Sequence, residues 1–190
     1  MNTIEALKGR RTYYNINDKL PVSTDEIVKT VKEITELVPD SFNMKSSRVI
    51  VALGDQHKKL WDAIFDVFGG KVAREKIDCF KAGAGTILYF VDNVTVGNLQ
   101  GQFPMYAERF PHWAAQSAGM LQISIWEALR ELNVGASLQH YNPVIDDVVR
   151  KLFDVPADWT LDAQMPFGGI AAEPDAKPAE DIDLRVIVKA

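Results

Sequence analysis

The run Arg10-Arg11-Thr12, near the start of the chain, has the clearest chemical use in the sequence. Each guanidinium offers a planar fork of donors that matches a phosphate group, and the threonine hydroxyl adds another donor. The same residues at the end of a short helix could instead form a solvated basic turn that complements the helix dipole. Spacing alone favours the basic turn, so a phosphate site is the less favoured of two hypotheses at this point.

Two polar loops carry side chains that could bind a flat ligand. Ser41-Phe42-Asn43 lies between a predicted helix end and a predicted strand. Asn43 offers both a donor and an acceptor, so it could bind the edge of a heterocycle, although turn chemistry explains the run better by itself. The run Gln139-His140-Tyr141-Asn142-Pro143 joins a predicted strand to a predicted helix, which is a common place for ligand sites.

The motifs of several enzyme classes are absent from the sequence. We find no GxSxG, P-loop or HExxH motif, and therefore no classical nucleophile or zinc-protease arrangement. His140 could be a base or a metal ligand, but neither His57 nor His112 stands at a metal-binding spacing from it, so we expect no metal site. Cys79 is better explained as a packed thiol than as a nucleophile, because no motif supplies a base.

An irregular stretch over residues 94–111 contains glycines, prolines and three aromatic residues, Phe103, Tyr106 and Phe110. These rings could face a substrate under a lid-like excursion, or they could pack against the long helix that follows. Phe167-Gly168-Gly169, after a predicted strand, could allow a ligand to approach the backbone, but a glycine turn explains it equally well.

Length, composition and charge favour a single folded domain over residues 1–190. The chain has 190 residues, of which 47% are hydrophobic and 25% charged, which is ordinary for a globular protein. Its net charge of −5 argues against broad binding to nucleic acid or to an anionic membrane. We find no signal peptide and no apolar run near the ~20 residues of a membrane span. The single cysteine fits a reducing cytosol, so we expect a cytoplasmic protein.

The elements that must position these residues alternate between helical and strand patterns. Helical periodicity or capping signals predict helices over 2–9, from Ser23 to the stop at Pro39, around 60–68, over 113–132 and over 144–153. Apolar runs predict strands over 48–53, 85–91, 136–138, 160–166 and 183–188, the last after a charged loop at 173–181. This order indicates a central sheet flanked by helices, and no GxGxxG motif supports a Rossmann fold.

Four segments of the sequence, in order, resemble the nitroreductase family and its short bacterial and fungal branch. They are Ile4–Tyr14, Val38–Arg48, Gly135–Pro143 and Met165–Gly169. The resemblance implies an α+β fold, a three-layer α/β/α sandwich with a mostly antiparallel central sheet and a long core helix. It also implies a homodimer that holds FMN at each of two interface sites.

The resemblance assigns roles to individual residues. Arg10, Arg11 and Thr12 fall where the family holds the FMN phosphate and ribityl chain, and Arg185 falls near a basic residue that completes this site. Asn43 falls where an asparagine contacts the isoalloxazine edge. Gln139 and His140 fall beside the flavin ring near N5. Tyr14 takes a cofactor-site position that is often basic in larger relatives, and the Pro and Trp of the usual Asn-x-Gln-Pro-Trp are missing after Asn43.

The implied activity is FMN-dependent, ping-pong transfer of hydride from NAD(P)H to nitroaromatic, quinone or similar flat acceptors. The flavin performs this chemistry, so no catalytic side chain is expected. Two alternatives remain: a non-catalytic flavin-binding or ligand-binding regulator on the same fold, sensing redox state or lipid, and an α/β domain of unrelated function.

Overall fold

The computed structural model describes residues 3–189, in which a central sheet carries helices on both faces. The α-helices are Thr3–Gly9 (α1), Thr24–Leu37 (α2), Gly54–Phe68 (α3), Arg74–Lys81 (α4), Asn93–Gln102 (α5), Phe110–Glu131 (α6) and Asp146–Phe153 (α7). The strands are Ile16–Asn17 (β1), Ser47–Leu53 (β2), Gly85–Asp92 (β3), Val134–Ala136 (β4) and Trp159–Ile170 (β5). Short 3₁₀ turns cover Ser41–Asn43, Pro104–Arg109 and Ile182–Leu184.

The sheet has the order β1-β5-β3-β2, and β4 also pairs with β5. All of these strand pairs are antiparallel. Within the described chain, β2 lies at an edge and pairs with β3 alone, from Ser47 opposite Val91 to Leu53 opposite Gly85. One side of β2 is therefore available to another strand.

Successive side chains of β3 enter two different cores, because side chains alternate between the faces of a strand. Ile87 and Tyr89 pack with buried residues of α2 and α6. Leu88 and Phe90 pack with buried residues of α3, α4 and α7. The chain thus forms helix, sheet and helix layers, which confirms the predicted three-layer α+β sandwich with its long core helix α6.

Local signals in the sequence correctly locate several helix ends. The Ser23 side chain caps α2 by accepting a hydrogen bond from the Glu26 amide at 3.1 Å. Helix α2 ends at Leu37, shortly before Pro39. Helix α3 ends at Phe68 and is capped by Gly69, whose φ of 52° is the left-handed conformation that favours glycine.

Other elements differ from the sequence predictions. Residues 183–188 do not form the predicted strand: a 3₁₀ turn covers Ile182–Leu184, and the apolar side chains up to Val188 are exposed. A strand needs a neighbour for its hydrogen bonds, and this segment has none among the described residues. Strand β4 covers 134–136 instead of 136–138. Helix α4 was not predicted, because its buried residues Ile77 and Phe80 lie among charged ones.

The predicted helix over 2–9 is described only from Thr3 onward, since residue 2 lies outside the described range. The stretch 94–111 consists of most of α5, the 3₁₀ turn Pro104–Arg109 and the start of α6. Its motion as a lid stays a prediction. Among the helices of residues 3–189, none is long and apolar enough to cross a membrane.

Candidate functional site

Arg10 is held at the end of α1 against the long helix α6. Its amide donates to the Ala6 carbonyl at 2.8 Å, and Arg130 Nε donates to the Gly9 carbonyl at 3.0 Å. The Arg10 guanidinium carbon lies 4.3 Å from the centre of the Trp126 ring, in a cation–π contact. Arg130 and Trp126 therefore fix where Arg10 can reach.

The guanidinium of Arg10 has a hydrogen-bond donor without an acceptor among the described residues. Its Nε is buried and has no hydrogen-bond partner within residues 3–189. Burial lowers the pKa of Arg10, the Glu127 carboxylate opposes this shift, and the Arg11 charge adds to it. An unpaired buried donor costs about 1–3 kcal/mol, so an anionic ligand that accepts from Nε would be stabilised here.

Thr12 and its neighbours connect this anchor to the sheet. Thr12 forms a bridge with Ala136, and the Tyr13 amide donates to the Ala136 carbonyl at 3.0 Å. Tyr14 is 48% exposed and contacts Phe80, with ring centres 5.9 Å apart. Successive side chains of this bridged segment therefore point in opposite directions, with Tyr13 buried and Tyr14 open to solvent.

The segment after β5 folds back over Arg11 and Thr12. Arg11 Nη2 donates to the Asp175 carbonyl, and the Tyr13 hydroxyl donates to Glu173 Oε2 at 3.1 Å. A cavity of about 340 Å³ lies between residues 12–15 and residues 172–175. One donor of the Arg11 guanidinium is therefore bonded to a neutral carbonyl. An anion would be a stronger hydrogen-bond acceptor for this donor than the carbonyl is.

Gln164, on β5, fixes the polar loop that follows β4. Its backbone exchanges two hydrogen bonds with Gln139, of 2.7 and 2.9 Å. Its side-chain Oε1 accepts from the Tyr141 amide at 2.8 Å, and its Nε2 donates to Asn142 Oδ1 at 3.1 Å.

The Gln139 side chain is buried and donates to Ser137 Oγ at 3.1 Å. His140 is exposed. Of the predicted pair, His140 alone presents its side chain outward.

Asn43 lies in a tightly bent turn before β2. Phe42, Asn43 and Lys45 all have left-handed backbone angles, with φ of 58°, 51° and 55°. Asp40 Oδ2 braces the turn by accepting from the amide and hydroxyl of Ser46, both at 2.8 Å. The Asn43 side chain is exposed and lines a cavity of about 680 Å³ between α2, β2 and α6.

The predicted aromatic residues of 94–111 gather around this turn. Phe103 and Tyr106 are 38% and 44% exposed, and their ring centres lie 4.9 and 6.1 Å from that of Phe42. Phe110 is fully buried and packs edge-on against Trp113. The expectation that Phe110 faces a substrate is therefore corrected: its position at the start of α6 places it in the core.

The predicted cofactor residues do not form one cluster within the chain. Arg10 packs on Trp126 and Phe42 packs on Trp113, and these two positions are separated by about 20 Å of the α6 axis, at 1.5 Å per residue. Arg185 is exposed and pairs with Glu180 at 2.8 Å. In the described part of the chain, no group of three or more His, Cys, Asp and Glu side chains could hold a metal ion.

Four residues that support the site were not identified from the sequence as doing so: Phe42, Trp126, Arg130 and Gln164. Phe42 could have been noticed as the neighbour of Asn43. The other three act through contacts with residues far along the chain, for which the sequence contains no local signal.

The chain belongs to the nitroreductase family, since the family profile matches residues 7–169. It is 36% identical over 179 residues to the nitroreductase FRM2 of Saccharomyces cerevisiae, covering 93% of this chain and 92% of that protein. The nitroreductase CinD from Lactococcus lactis has the same fold with a TM-score of 0.94 and 38% identity, covering 100% of both chains. The predicted family and oxidoreductase class are confirmed.

Ligands are present in several of the similar structures. CinD was solved in complexes with nicotinic acid, chloramphenicol and 4-nitrophenol. A protein from Exiguobacterium sibiricum, solved in complex with FMN, has a TM-score of 0.76 and 14% identity, covering 100% of this chain and 98% of that one. At 14% identity, the likeness to the Exiguobacterium protein shows a shared fold alone.

Proposed function

We propose that this protein is an FMN-dependent NAD(P)H oxidoreductase that reduces nitroaromatic, quinone or similar flat acceptors. The observation that carries the proposal is the buried, unpaired Nε of Arg10, beside Arg11 and Thr12, in a chain of the nitroreductase family. An FMN phosphate would supply the acceptor that this nitrogen lacks.

The residues of the anchor fit the phosphate end of FMN. Arg10 Nε and the Arg11 fork would donate to phosphate oxygens, with Arg11 exchanging its contact to the Asp175 carbonyl for a charged acceptor. Thr12 would add a hydroxyl, and Tyr14 would border the ribityl chain. Arg185 would complete the phosphate site by exchanging its pairing with Glu180 for the phosphate.

Gln139, His140 and Asn43 would hold the flavin ring. FMN supplies the redox chemistry when bound, accepting two electrons as hydride from NAD(P)H and returning them with a proton to the acceptor. The chain would orient the ring: Gln164 holds the 139–142 loop rigid, and the braced turn at Asp40–Ser46 presents the Asn43 amide. NAD(P)H and the acceptor would bind in turn at the same site, which gives ping-pong kinetics.

The separation of these groups supports the proposal of a homodimer. Arg10 and Asn43 lie near opposite ends of α6, so a flavin that contacts both would be shared by two copies of the chain. Three exposed features support such an interface: the unpaired edge of β2 with its adjoining cavity, the small residues Ala115 and Gly119 on α6, and the apolar side chains of residues 182–188.

The acceptor class is supported by the ligands of CinD, which include two nitroaromatic compounds, and by the exposed aromatic residues near Asn43. Nicotinic acid in CinD supports a nicotinamide as the electron donor. A cytoplasmic location and a lid motion of residues 94–111 remain predictions.

Steady-state kinetics of the purified protein with FMN test this proposal. NADH or NADPH oxidation should depend on an added quinone or nitro compound, and double-reciprocal plots should give parallel lines. Flavin binding without turnover with either nicotinamide would contradict the enzymatic function and favour a flavin-binding regulator. Light scattering should give twice the chain mass of 21.2 kDa, and a monomer with full activity would contradict the shared site.

A further inference from the structure

Phe42 is the centre of a cluster of five aromatic rings. It stacks on Trp113 with ring centres 5.6 Å apart and planes inclined by 22°. It also contacts Phe103, Tyr106 and Phe110 at 4.9, 6.1 and 5.2 Å. Nearly parallel stacking on Trp113 covers one face of the Phe42 ring and leaves its other surfaces to the remaining contacts and to solvent.

The backbone holds Phe42 in this position at a cost. A φ of 58° is left-handed, which is unfavourable for a bulky side chain and is followed by a second left-handed residue, Asn43. The Asp40–Ser46 hydrogen bonds and the bond of 2.7 Å from Arg48 Nη1 to the Lys45 carbonyl tie down both sides of the turn. Strained residues held in this way concentrate at ligand sites.

The ring is nevertheless left open. Phe42 is 48% exposed. Phe103 and Tyr106, the two neighbouring rings from the stretch 94–111, are 38% and 44% exposed. Phe110 beneath them is fully buried, so the cluster has a packed base and an open top. A flat aromatic ligand would gain both apolar burial and ring stacking on such a surface.

We propose that Phe42, backed by Trp113, is the stacking platform that gives this enzyme its preference for flat aromatic and quinone acceptors. This inference rests on the proposed function, because it requires the flavin ring beside Asn43, the next residue along the chain. Phe103 and Tyr106 form the walls of the platform, and Phe42 determines specificity by contacting the acceptor directly.

The test compares two acceptors in the FMN-loaded protein. Menadione is a flat bicyclic quinone, whereas ferricyanide is octahedral and cannot stack. The measured quantity is the ratio of kcat/KM for menadione to that for ferricyanide, with NADH as donor. F42L removes the ring but keeps an apolar side chain, and should lower this ratio about three- to tenfold. F42Y and F42W retain a ring and should restore the ratio to within about twofold of the wild type.

A matched control comes from the opposite face of the sheet. Phe65 on α3 is a partly buried ring in contact with Arg74, and F65L should leave the ratio as in the wild type.

A wild-type ratio in F42L, or an equal loss in F42L and F42Y, would overturn the platform while leaving the oxidoreductase function intact. A change of oligomeric state in F42L would assign the ring to the interface and overturn it too. A wild-type protein that reduces neither acceptor would refute the function and the platform together.

Discussion

Replacing Arg10 by methionine should weaken FMN binding while leaving the binding of riboflavin almost unchanged. The variant removes the guanidinium but keeps an unbranched apolar stem of similar reach against Trp126. Riboflavin lacks the phosphate, so the comparison separates the loss of a phosphate contact from a general disturbance of the site.

The size of the effect follows from the state of the Arg10 side chain. A hydrogen bond to a charged group contributes about 1.5–3 kcal/mol, which corresponds to an increase of about 10- to 150-fold in the Kd for FMN. The apoprotein should change little in stability. Loss of the cation–π contact costs about 0.5–2 kcal/mol, and removal of the unpaired buried Nε relieves about 1–3 kcal/mol.

The assay is a fluorescence titration of the apoprotein with FMN and, separately, with riboflavin. R74M is the control, because Arg74 is an arginine of α4 whose guanidinium pairs with Asp62 and Asp78, outside the proposed site. It should leave both dissociation constants within about twofold of the wild type. An unchanged FMN Kd in R10M, or an equal weakening for FMN and riboflavin, would refute the phosphate-anchor reasoning.

Three further predictions concern the scaffold. Q164L should lower the free energy of unfolding by about 2–4 kcal/mol in urea titrations, because it leaves the Tyr141 amide and Asn142 Oδ1 without their partner; a loss below about 1 kcal/mol would contradict this. Burial lowers the pKa of His57 to about 4 from 6.5, so the unfolded chain binds more protons between these values. Stability should therefore fall by about 3 kcal/mol as pH decreases from 6.5 to 4, and H57Q should remove most of this slope; an identical slope in H57Q would exclude His57 as its source. G168A should lower Tm strongly because its Cβ would lie 2.2 Å from the Asn17 carbonyl, whereas G97A, with nothing within 4 Å, should keep or slightly raise it; equal effects of the two would contradict the packing.

The sequence predicts best those elements whose signals are local. The apolar runs of β2, β3 and β5 and the capping residue Ser23 depend on neighbours within a few residues, and all are found where expected within a few positions. The strand predicted over 183–188 has the same kind of apolar pattern, but a strand also requires a partner edge. Sequence periodicity contains no information on whether that edge exists in the same chain.

The candidate site was predicted only in part for a related reason. From residue types and spacing alone, a phosphate anchor at Arg10-Arg11-Thr12 was the less favoured of two hypotheses, and the family resemblance assigned the role. The buried, unpaired Nε of Arg10 is a feature that residue types do not reveal. Two other features depend on contacts across more than twenty residues of chain. One is the separation of this anchor from Asn43 along α6, and the other is the attachment of the 139–142 loop to Gln164. The burial of Phe110 and the central position of Phe42 likewise arise from packing around the start of α6.

The central claim is that this chain binds FMN and uses it to move electrons, and an anaerobic visible spectrum tests it most directly. Purified protein mixed with FMN and freed of excess should absorb near ~450 nm, as oxidised flavin does. NADH or NADPH should bleach this band, and an added quinone or nitro compound should restore it. A protein that retains no flavin, or whose bound flavin is not bleached by either nicotinamide, would contradict the account.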